Sequence, residues 1–213
     1  MNQLNLKLIN KKSYLEEDFL ISNSNENAFK SIIEKSIKIN NIYLFGPNKS
    51  GKSHLASIWL KKNNGVCIEL DKITNKNINE INKNILIEDI YENINEEKLF
   101  FLINNIKEKN KKILITSNKK ALNYNFKLKD LSSRIKSFYF TEIKKPDDYL
   151  LMNLIIKLFN DKQIKIKDKK VINYIISHID RTFDNVYLAV KKIDEYSLSN
   201  NRDINIPLIK EII

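Results

Sequence analysis

The octapeptide GPNKSGKS at residues 46–53 has residue types and a spacing that indicate phosphate chemistry. It fits the pattern G-x-x-x-x-G-K-[ST], in which glycines allow successive backbone N–H groups to turn inward around phosphate oxygens. The ammonium group of Lys52 would reach the outer phosphates, and the hydroxyl of Ser53 would bind Mg²⁺. The chain has only three glycines, and Gly46 and Gly51 occupy the two positions that the pattern requires. A chance glycine-containing turn is the alternative, and this placement disfavours it.

The same pattern predicts a cofactor and the residues that contact it. We expect ADP or ATP with Mg²⁺, held by the loop and by the residue that follows it. The predicted nucleotide-binding residues of this segment are Gly46, Pro47, Asn48, Lys49, Ser50, Gly51, Lys52, Ser53 and His54.

A pair of acids lies at the end of another apolar run, ILIEDI at residues 85–90. Phosphate-loop proteins place an acid on a neighbouring strand to complete the magnesium shell. We therefore predict that Glu88 joins Ser53 at Mg²⁺ and that Asp89 orients the attacking water. Aspartate is usual at the first position, and the longer glutamate displaces the carboxylate, so we expect slow hydrolysis. A solvated strand end is the alternative.

These residues need a strand before the loop and a helix after it, and the flanking sequence predicts both. The run IYLF (42–45) precedes the loop, and SHLASIWLKK after it carries apolar residues at helical spacing. Alternating strands and helices predict an α/β fold with a parallel sheet covered by helices on both faces. The further strands are predicted at 66–70, 84–90, 112–117 and 137–143.

The pattern changes at Pro146, after which the sequence predicts helices only. Pro146 and the two aspartates that follow it form a typical helix start. Three helical segments follow, and a short fourth begins at Pro207. We therefore predict a nucleotide-binding α/β domain at 13–144 and a small helical domain at 145–213, in direct contact because no Gly/Ser linker separates them.

Composition narrows the class of protein. A chain of 213 residues with 42% hydrophobic residues can bury a sizeable core. No apolar run approaches the roughly 18 residues of a membrane span, and residues 1–12 lack the apolar stretch of a secretory signal. We therefore expect a cytoplasmic protein with no membrane partner. The single cysteine, Cys67, excludes an internal disulfide, and its apolar neighbours predict a buried thiol.

The formal net charge of +11 raises the question of nucleic-acid binding, since clustered lysines release counterions from phosphates. The lysines are spread over predicted helices and loops and form no basic block with interleaved aromatic residues. We therefore expect weak nonspecific association with DNA rather than reading of a DNA sequence.

With the loop and the acidic pair placed, the sequence resembles the AAA+ ATPases of the bacterial initiator group, close to DnaA and closer to its short regulatory relative Hda. The segment YLFGPNKSGKSHL is similar to the phosphate loop of this group. The segments HIDRTFDNVYLAVKKIDEYSL and INIPLIKEII resemble the Hda lid. The resemblance covers nearly the whole chain and implies an AAA+ P-loop NTPase fold with a small α-helical lid domain.

The resemblance also implies roles for single residues. SNSNENA resembles the segment before the first strand, which implies that Asn25 lies near the adenine. ITSN resembles sensor 1, which implies that Asn118 contacts the γ-phosphate or the attacking water. LSSRI resembles the box that carries the arginine finger, here Arg134, which acts in trans on a neighbour's nucleotide. The lid resemblance implies that Arg181 is the sensor 2 arginine, so the catalytic set would be Asp89, Asn118, Arg134 and Arg181. Ordinary surface arginines are the alternative at the last two positions.

The first residues resemble a partner-binding motif. QLNLKL at residues 3–8 is similar to the segment with which Hda binds the DNA polymerase III sliding clamp (beta). This implies an extended tail at 1–12 that docks by short-peptide recognition through Gln3, Leu4, Leu6 and Leu8. A merely amphipathic tail is the alternative.

These resemblances imply a regulator of replication initiation that binds the clamp and presents Arg134 to ATP held by the DnaA initiator. Ser53 and Asn118 replace the usual threonine and aspartate, so we expect weak ATP hydrolysis by the chain itself. Two alternatives stay open: a DNA-associated ATPase or helicase loader that uses its own hydrolysis, and a structural adaptor that binds nucleotide permanently. Self-association into a homo-oligomer also stays open.

Overall fold

The computed structural model describes residues 14–34, 39–90, 94–164, 166 and 168–213. The clamp-binding prediction lies outside these residues, since it concerns Gln3, Leu4, Leu6 and Leu8. Within the described ranges, no helix has the length and apolar character needed to cross a membrane.

Parallel strands form one five-stranded sheet with the order β2-β3-β4-β1-β5. The central strand β4 is buried along its whole length because helices cover both of its faces. Parallel strands end at the same edge of a sheet, so the loop after β1 meets the ends of β3 and β4 there. The predicted α/β fold is confirmed. The strands are β1 (Asn41–Phe45), β2 (Val66–Cys67), β3 (Ile85–Ile90), β4 (Ile113–Ser117) and β5 (Tyr139–Glu142).

Two hydrophobic clusters cover the two faces of the sheet. Successive side chains of a strand point to opposite faces, and β1 places Ile42 and Leu44 in one cluster and Tyr43 and Phe45 in the other. Helices α1 and α2 pack on the first face, and α3, α4 and α5 pack on the second. These helices are α1 (Glu26–Ile33), α2 (Lys52–Lys62), α3 (Asn75–Glu80), α4 (Glu96–Glu108) and α5 (Lys129–Lys136).

The predicted helical lid is confirmed. Its first helix begins after the Asp147 cap, whose side chain accepts a hydrogen bond from the Leu150 N–H (2.8 Å). The lid has its own hydrophobic cluster, but Leu150 and Phe183 belong to the cluster of α1 and α2. The lid therefore packs directly against the sheet domain. Its helices are α6 (Asp148–Asp161), α7 (Lys169–His178), α8 (Phe183–Asn200) and α9 (Ile206–Lys210).

Two features differ from the sequence-based expectation. The predicted strand at 66–70 is shortened to β2, an edge strand, and Cys67 is exposed rather than buried. The prediction of a buried thiol was wrong because apolar neighbours do not reveal which strand lies at an edge. Helix α3 was not predicted, since its sequence NKNINE is polar and Ile78 is its only buried residue among those described.

Candidate nucleotide-binding site

The phosphate loop joins β1 to α2. The N–H of Gly46 donates to the Ser117 carbonyl (3.2 Å), which fixes the start of the loop to the end of β4. A Cβ atom on Gly46 would lie 2.6 Å from the Ile143 carbonyl oxygen, so the site accepts only glycine. Gly51, which caps α2, has a φ of 99°, a left-handed conformation that side chains rarely adopt. Both glycines that the motif requires are thus also required by the local geometry.

Lys52 is buried inside this loop, with only 6% of its surface exposed. Its ammonium group donates to the carbonyl oxygens of Gly46 (3.1 Å) and Pro47 (2.9 Å) and to Oδ1 of Asn118 (2.7 Å). Burial lowers the pKa of Lys52, and nearby carboxylates oppose this shift. The lysine predicted to bind phosphate and the asparagine predicted to act as sensor 1 are therefore in direct contact.

The loop opens onto a cleft between the sheet domain and the lid. Its volume of about 670 Å³ lies within the usual range for small-molecule sites, roughly 300–1,000 Å³. The loop contributes residues 48–54, and Asp89 and Asn118 lie in the wall at the ends of β3 and β4. The lid contributes Lys157 and Tyr187. The cleft has the size and the charged groups of a nucleotide site.

Unused polar groups in the loop fit a phosphate chain and its metal ion. The Ser50 hydroxyl is buried and has no hydrogen-bond partner among the described residues, which is unusual for a buried polar group. The side chain of Ser53 is exposed and lines the cleft. With the N-terminus of α2 behind them, Ser50 and Lys52 would hold phosphate oxygens. Ser53 would supply an oxygen ligand of the kind Mg²⁺ prefers.

The two predicted acids lie in different places. The register of β3 against β4 shifts between residues 87 and 90, and Asp89 has a φ of 47°. The N–H of Asp89 donates to Oγ1 of Thr116 (2.9 Å), and its side chain lines the cleft. Glu88 is not among the described cleft residues. The pKa of the Cys67 thiol, on β2, is raised first by desolvation and next by the negative charge of Glu88. The structure therefore brings Asp89, and not Glu88, to the phosphate loop.

Asn25 holds the backbone of the rim of the site. Its side-chain N–H donates to the Leu20 carbonyl (2.8 Å), and its Oδ1 accepts from the Ser22 N–H (2.8 Å). A small cavity beside it is lined by apolar groups such as Phe19 and Phe183 and would suit the flat face of a base. Asn25 lines this cavity, and its amide is occupied in shaping the 20–25 turn.

His54 connects α2 to the segment that precedes α1. Its Nε2 donates to the Leu15 carbonyl (2.7 Å), and its ring contacts the edge of the Phe19 ring with 5.3 Å between centroids. Burial lowers the pKa of His54, and the bond to Leu15 opposes this shift. Because His54 lines the cleft, it shapes the rim of the predicted site.

Three lid residues near the loop were not predicted. Lys157 lines the cleft and donates to the Asp18 carbonyl (2.7 Å). Asp184 forms an ion pair with Lys49 of the loop, and the Lys49 ammonium also lies 5.4 Å from the centre of the Tyr187 ring. A signal for Lys157 existed, since it continues the helix face of α6 that begins with buried apolar residues. Neither Asp184 nor Tyr187 belongs to a sequence pattern that predicts contact with the loop.

The two predicted arginines lie outside the cleft. Arg181 pairs with Asp148 (3.2 Å), and both side chains are more than half exposed. Arg134 is partly exposed near the end of α5, and no carboxylate of the described residues lies within ion-pair distance of its guanidinium. Among the residues that the structure describes, neither arginine lines the cleft at the phosphate loop.

The chain resembles known proteins in the sequence of its lid and in its fold. Residues 159–213 match the family model described as Hda, lid domain. The structure is similar to domain III of the replication initiation protein DnaA from Thermotoga maritima, with a TM-score of 0.76 and 19% identity over 94% of this chain and 97% of that one.

Other solved structures share the fold at lower similarity. AMPPCP-bound DnaA from Aquifex aeolicus has a TM-score of 0.69 and 16% identity, over 87% of this chain and 66% of that one. The Holliday junction branch migration motor RuvB from Thermotoga maritima has a TM-score of 0.66 and 14% identity, over 90% and 68%. At these identities the likeness concerns the fold. The chain thus has the fold of DnaA domain III, and its residues 159–213 are similar to the lid domain of Hda.

Proposed function

We propose that this protein is a nucleotide-bound regulator of chromosomal replication initiation that stimulates ATP hydrolysis by DnaA. The observation that carries the proposal is the place of Arg134. Its guanidinium lies outside the chain's own cleft and has no carboxylate partner among the described residues. The match of residues 159–213 to the Hda lid supports the same assignment.

In this proposal Arg134 acts as an arginine finger in trans. Its fixed charge would neutralise the charge that develops on the phosphoryl group transferred from ATP in DnaA. Buried Leu131 and Ile135 anchor α5 on the sheet domain, so the helix presents Arg134 from a rigid support. DnaA itself would supply the nucleotide, its metal ion and the attacking water.

The chain's own nucleotide would have a structural role. ADP or ATP would lie in the cleft with its phosphates against residues 46–53 and Mg²⁺ at Ser53, and the AMPPCP in the Aquifex aeolicus relative supports nucleotide binding. The cleft lies between the sheet domain and the lid, so a bound nucleotide would fix their relative position. The presentation of Arg134 to DnaA would then depend on nucleotide occupancy.

The proposed tether is the segment at Gln3, Leu4, Leu6 and Leu8. Docking of this segment on the sliding clamp would hold the regulator beside newly replicated DNA. Tethering raises the effective concentration of Arg134 near DnaA without any new contact. Removal of residues 1–10 should abolish capture by the clamp, whereas Arg134→Ala should leave capture unchanged.

The test uses the full chain, clamp loaded on DNA and ATP-bound DnaA, with hydrolysis of the DnaA-bound ATP as the readout. Arg134→Ala should remove most of the stimulation, for which arginine fingers typically account by factors of about 10³ or more. Arg134→Lys should fail almost as badly, because lysine lacks the planar fork. Lys136→Ala, on the same helix, is the matched control and should keep full activity. Wild-type protein that leaves DnaA hydrolysis unchanged would contradict the proposal.

A second function is favoured by a different observation. Lys52 and Asn118 contact each other in the cleft, and Asp89 lines the same wall, so these groups would suit intrinsic ATP hydrolysis. The chain would then be a DNA-associated ATPase of the helicase-loader type. This alternative requires multiple-turnover ATP hydrolysis that single-stranded DNA stimulates and that Asp89→Ala abolishes, in the absence of DnaA.

A further inference from the structure

We propose that Asp89 takes the magnesium-side role that the sequence pattern gives to Glu88, and that Thr116 is the positioning residue that holds Asp89 in place. This inference rests on the proposed nucleotide binding and is independent of the action of Arg134 on DnaA. It is carried by the geometry at the end of β3.

Strand β3 contains a bulge at the acidic pair. Ile87 pairs with Ile115, and Ile90 pairs with Ser117, so β3 takes three steps (87 to 90) where β4 takes two (115 to 117). One extra residue in a strand re-aims the side chains around it, and such bulges occur preferentially next to functional sites. The side-chain directions of the acidic pair therefore do not follow the simple alternation of a strand.

Asp89 has an unusual backbone conformation. Its φ of 47° lies in the left-handed region, which aspartate tolerates better than most residues but which still needs support. The bulge interrupts the ladder between β3 and β4, so the Asp89 N–H cannot use a regular strand partner. Oγ1 of Thr116 accepts this N–H at 2.9 Å. A side-chain hydroxyl thus takes the place of a backbone carbonyl.

Thr116 contacts Asp89 from inside the sheet. It lies in the central strand β4 and is fully buried. It is not among the described residues that line the cleft, so it would act on the nucleotide only through Asp89. A buried hydroxyl in a sheet is retained at a cost unless it is hydrogen-bonded. The bond to Asp89 gives this hydroxyl its partner.

Asp89 and Glu88 have different neighbours. Asp89 lines the same cleft as Lys52 and Asn118. The charge of Glu88 instead reaches Cys67 on the edge strand. Asp89 shares the cleft with Ser53, the hydroxyl that would bind Mg²⁺, and the aspartate has the shorter side chain that is usual at such sites.

The experiment measures binding rather than hydrolysis. A fluorescent ADP analogue is titrated in buffer with Mg²⁺ and in buffer with EDTA. For each variant, the dissociation constant in EDTA divided by that in Mg²⁺ gives the Mg²⁺-dependent ratio. We expect Asp89→Asn to reduce the wild-type ratio by about 10-fold or more, the range typical of a lost metal-supporting residue. Glu88→Gln should change the wild-type ratio by less than about 2-fold, a much smaller effect than loss of a metal-supporting residue.

Two substitutions at Thr116 test the positioning role. Thr116→Val keeps the shape but removes the acceptor, so the Mg²⁺-dependent ratio should fall while binding in EDTA is preserved. Thr116→Ser retains a hydroxyl and should restore the ratio. Circular dichroism and a thermal melt establish that each variant is folded.

Each contrary result overturns a defined part. If Glu88→Gln lowered the Mg²⁺-dependent ratio and Asp89→Asn left it at the wild-type value, the magnesium-side role would belong to Glu88. If Thr116→Val and Thr116→Ser had the same Mg²⁺-dependent ratio, the hydrogen bond from Asp89 to Thr116 would not position Asp89. A wild-type protein that binds the ADP analogue in neither buffer would instead contradict the proposed nucleotide site, and the inference would fall with it.

Discussion

Lys49 in the phosphate loop and Asp184 in the lid form an ion pair, with 3.0 Å between Nζ and Oδ1. About half of each side chain is exposed, so the pair adds at most about 1 kcal/mol to the stability of the fold. Its importance lies in its position. Lys49 has a φ of 58° and borders the site of the phosphates, and Asp184 lies in the first turn of α8. A ligand that attracts Lys49 would therefore compete with the lid.

Removal of the negative charge at Asp184 should strengthen nucleotide binding. Asp184 acts on Lys49 directly, and its charge also affects the buried Lys52. Asp184→Asn should raise ADP affinity by about 3-fold or more at low salt, the effect of one charge near a protein surface. The difference should shrink in high salt because of screening. Equilibrium titration measures it, Asp203→Asn in the same domain is the control, and equal affinities at low salt would contradict the prediction.

The Gly46→Ala substitution should damage both the fold and the site. The added Cβ would meet the Ile143 carbonyl at 2.6 Å, and this backbone atom belongs to the segment after β5 and cannot move alone. We expect a loss of about 1–3 kcal/mol in the free energy of unfolding, measured with urea, and a loss of ADP binding. Gly65→Ala is the milder comparison, since its Cβ would meet a Leu60 side-chain carbon at 3.0 Å and the Asn84 carbonyl oxygen at 3.1 Å. Similar losses in the two variants would contradict this account.

His54 should make the fold less stable in mild acid. Burial lowers its pKa in the folded protein, so the unfolded chain binds the proton first as the pH falls below about 6.5. Stability is therefore unaffected by this group above that value and declines as the pH falls towards the folded pKa. His54→Gln should flatten the change in unfolding free energy between about pH 7 and about pH 5. His178→Gln removes the other imidazole of the chain as a control. An unaltered pH profile in His54→Gln would rule out this role.

Arg181 and Lys157 should differ in their effect on nucleotide binding. Arg181 pairs with Asp148 outside the cleft, whereas Lys157 lines it. Arg181→Ala should change ADP affinity by less than about 2-fold, and Lys157→Ala should weaken it by about 3-fold or more. Titration of both variants under the same conditions decides the matter. The opposite order would restore the sensor 2 role of Arg181 and require a different lid position in the bound state.

The sequence predicted the features that depend on local pattern. The phosphate loop has a fixed spacing, and the apolar runs of β1, β3 and β4 mark buried strands, so their meeting at one edge followed from a parallel sheet. The bulge at Asp89 could not be predicted, because it depends on Thr116 in another strand. The proximity of Asp184 to Lys49 could not be predicted either, since it depends on how the lid packs against the sheet domain through Leu150 and Phe183.

The three hydrogen bonds of Lys52 have a consequence for the shape of the phosphate loop. An ammonium group that already satisfies two loop carbonyls and Asn118 keeps the loop in its binding shape. Arrival of a phosphate would then be an exchange of partners around one cation, and little backbone would have to be ordered at that moment. Lys52 thus acts as a tie that joins the start of the phosphate loop to the end of β4.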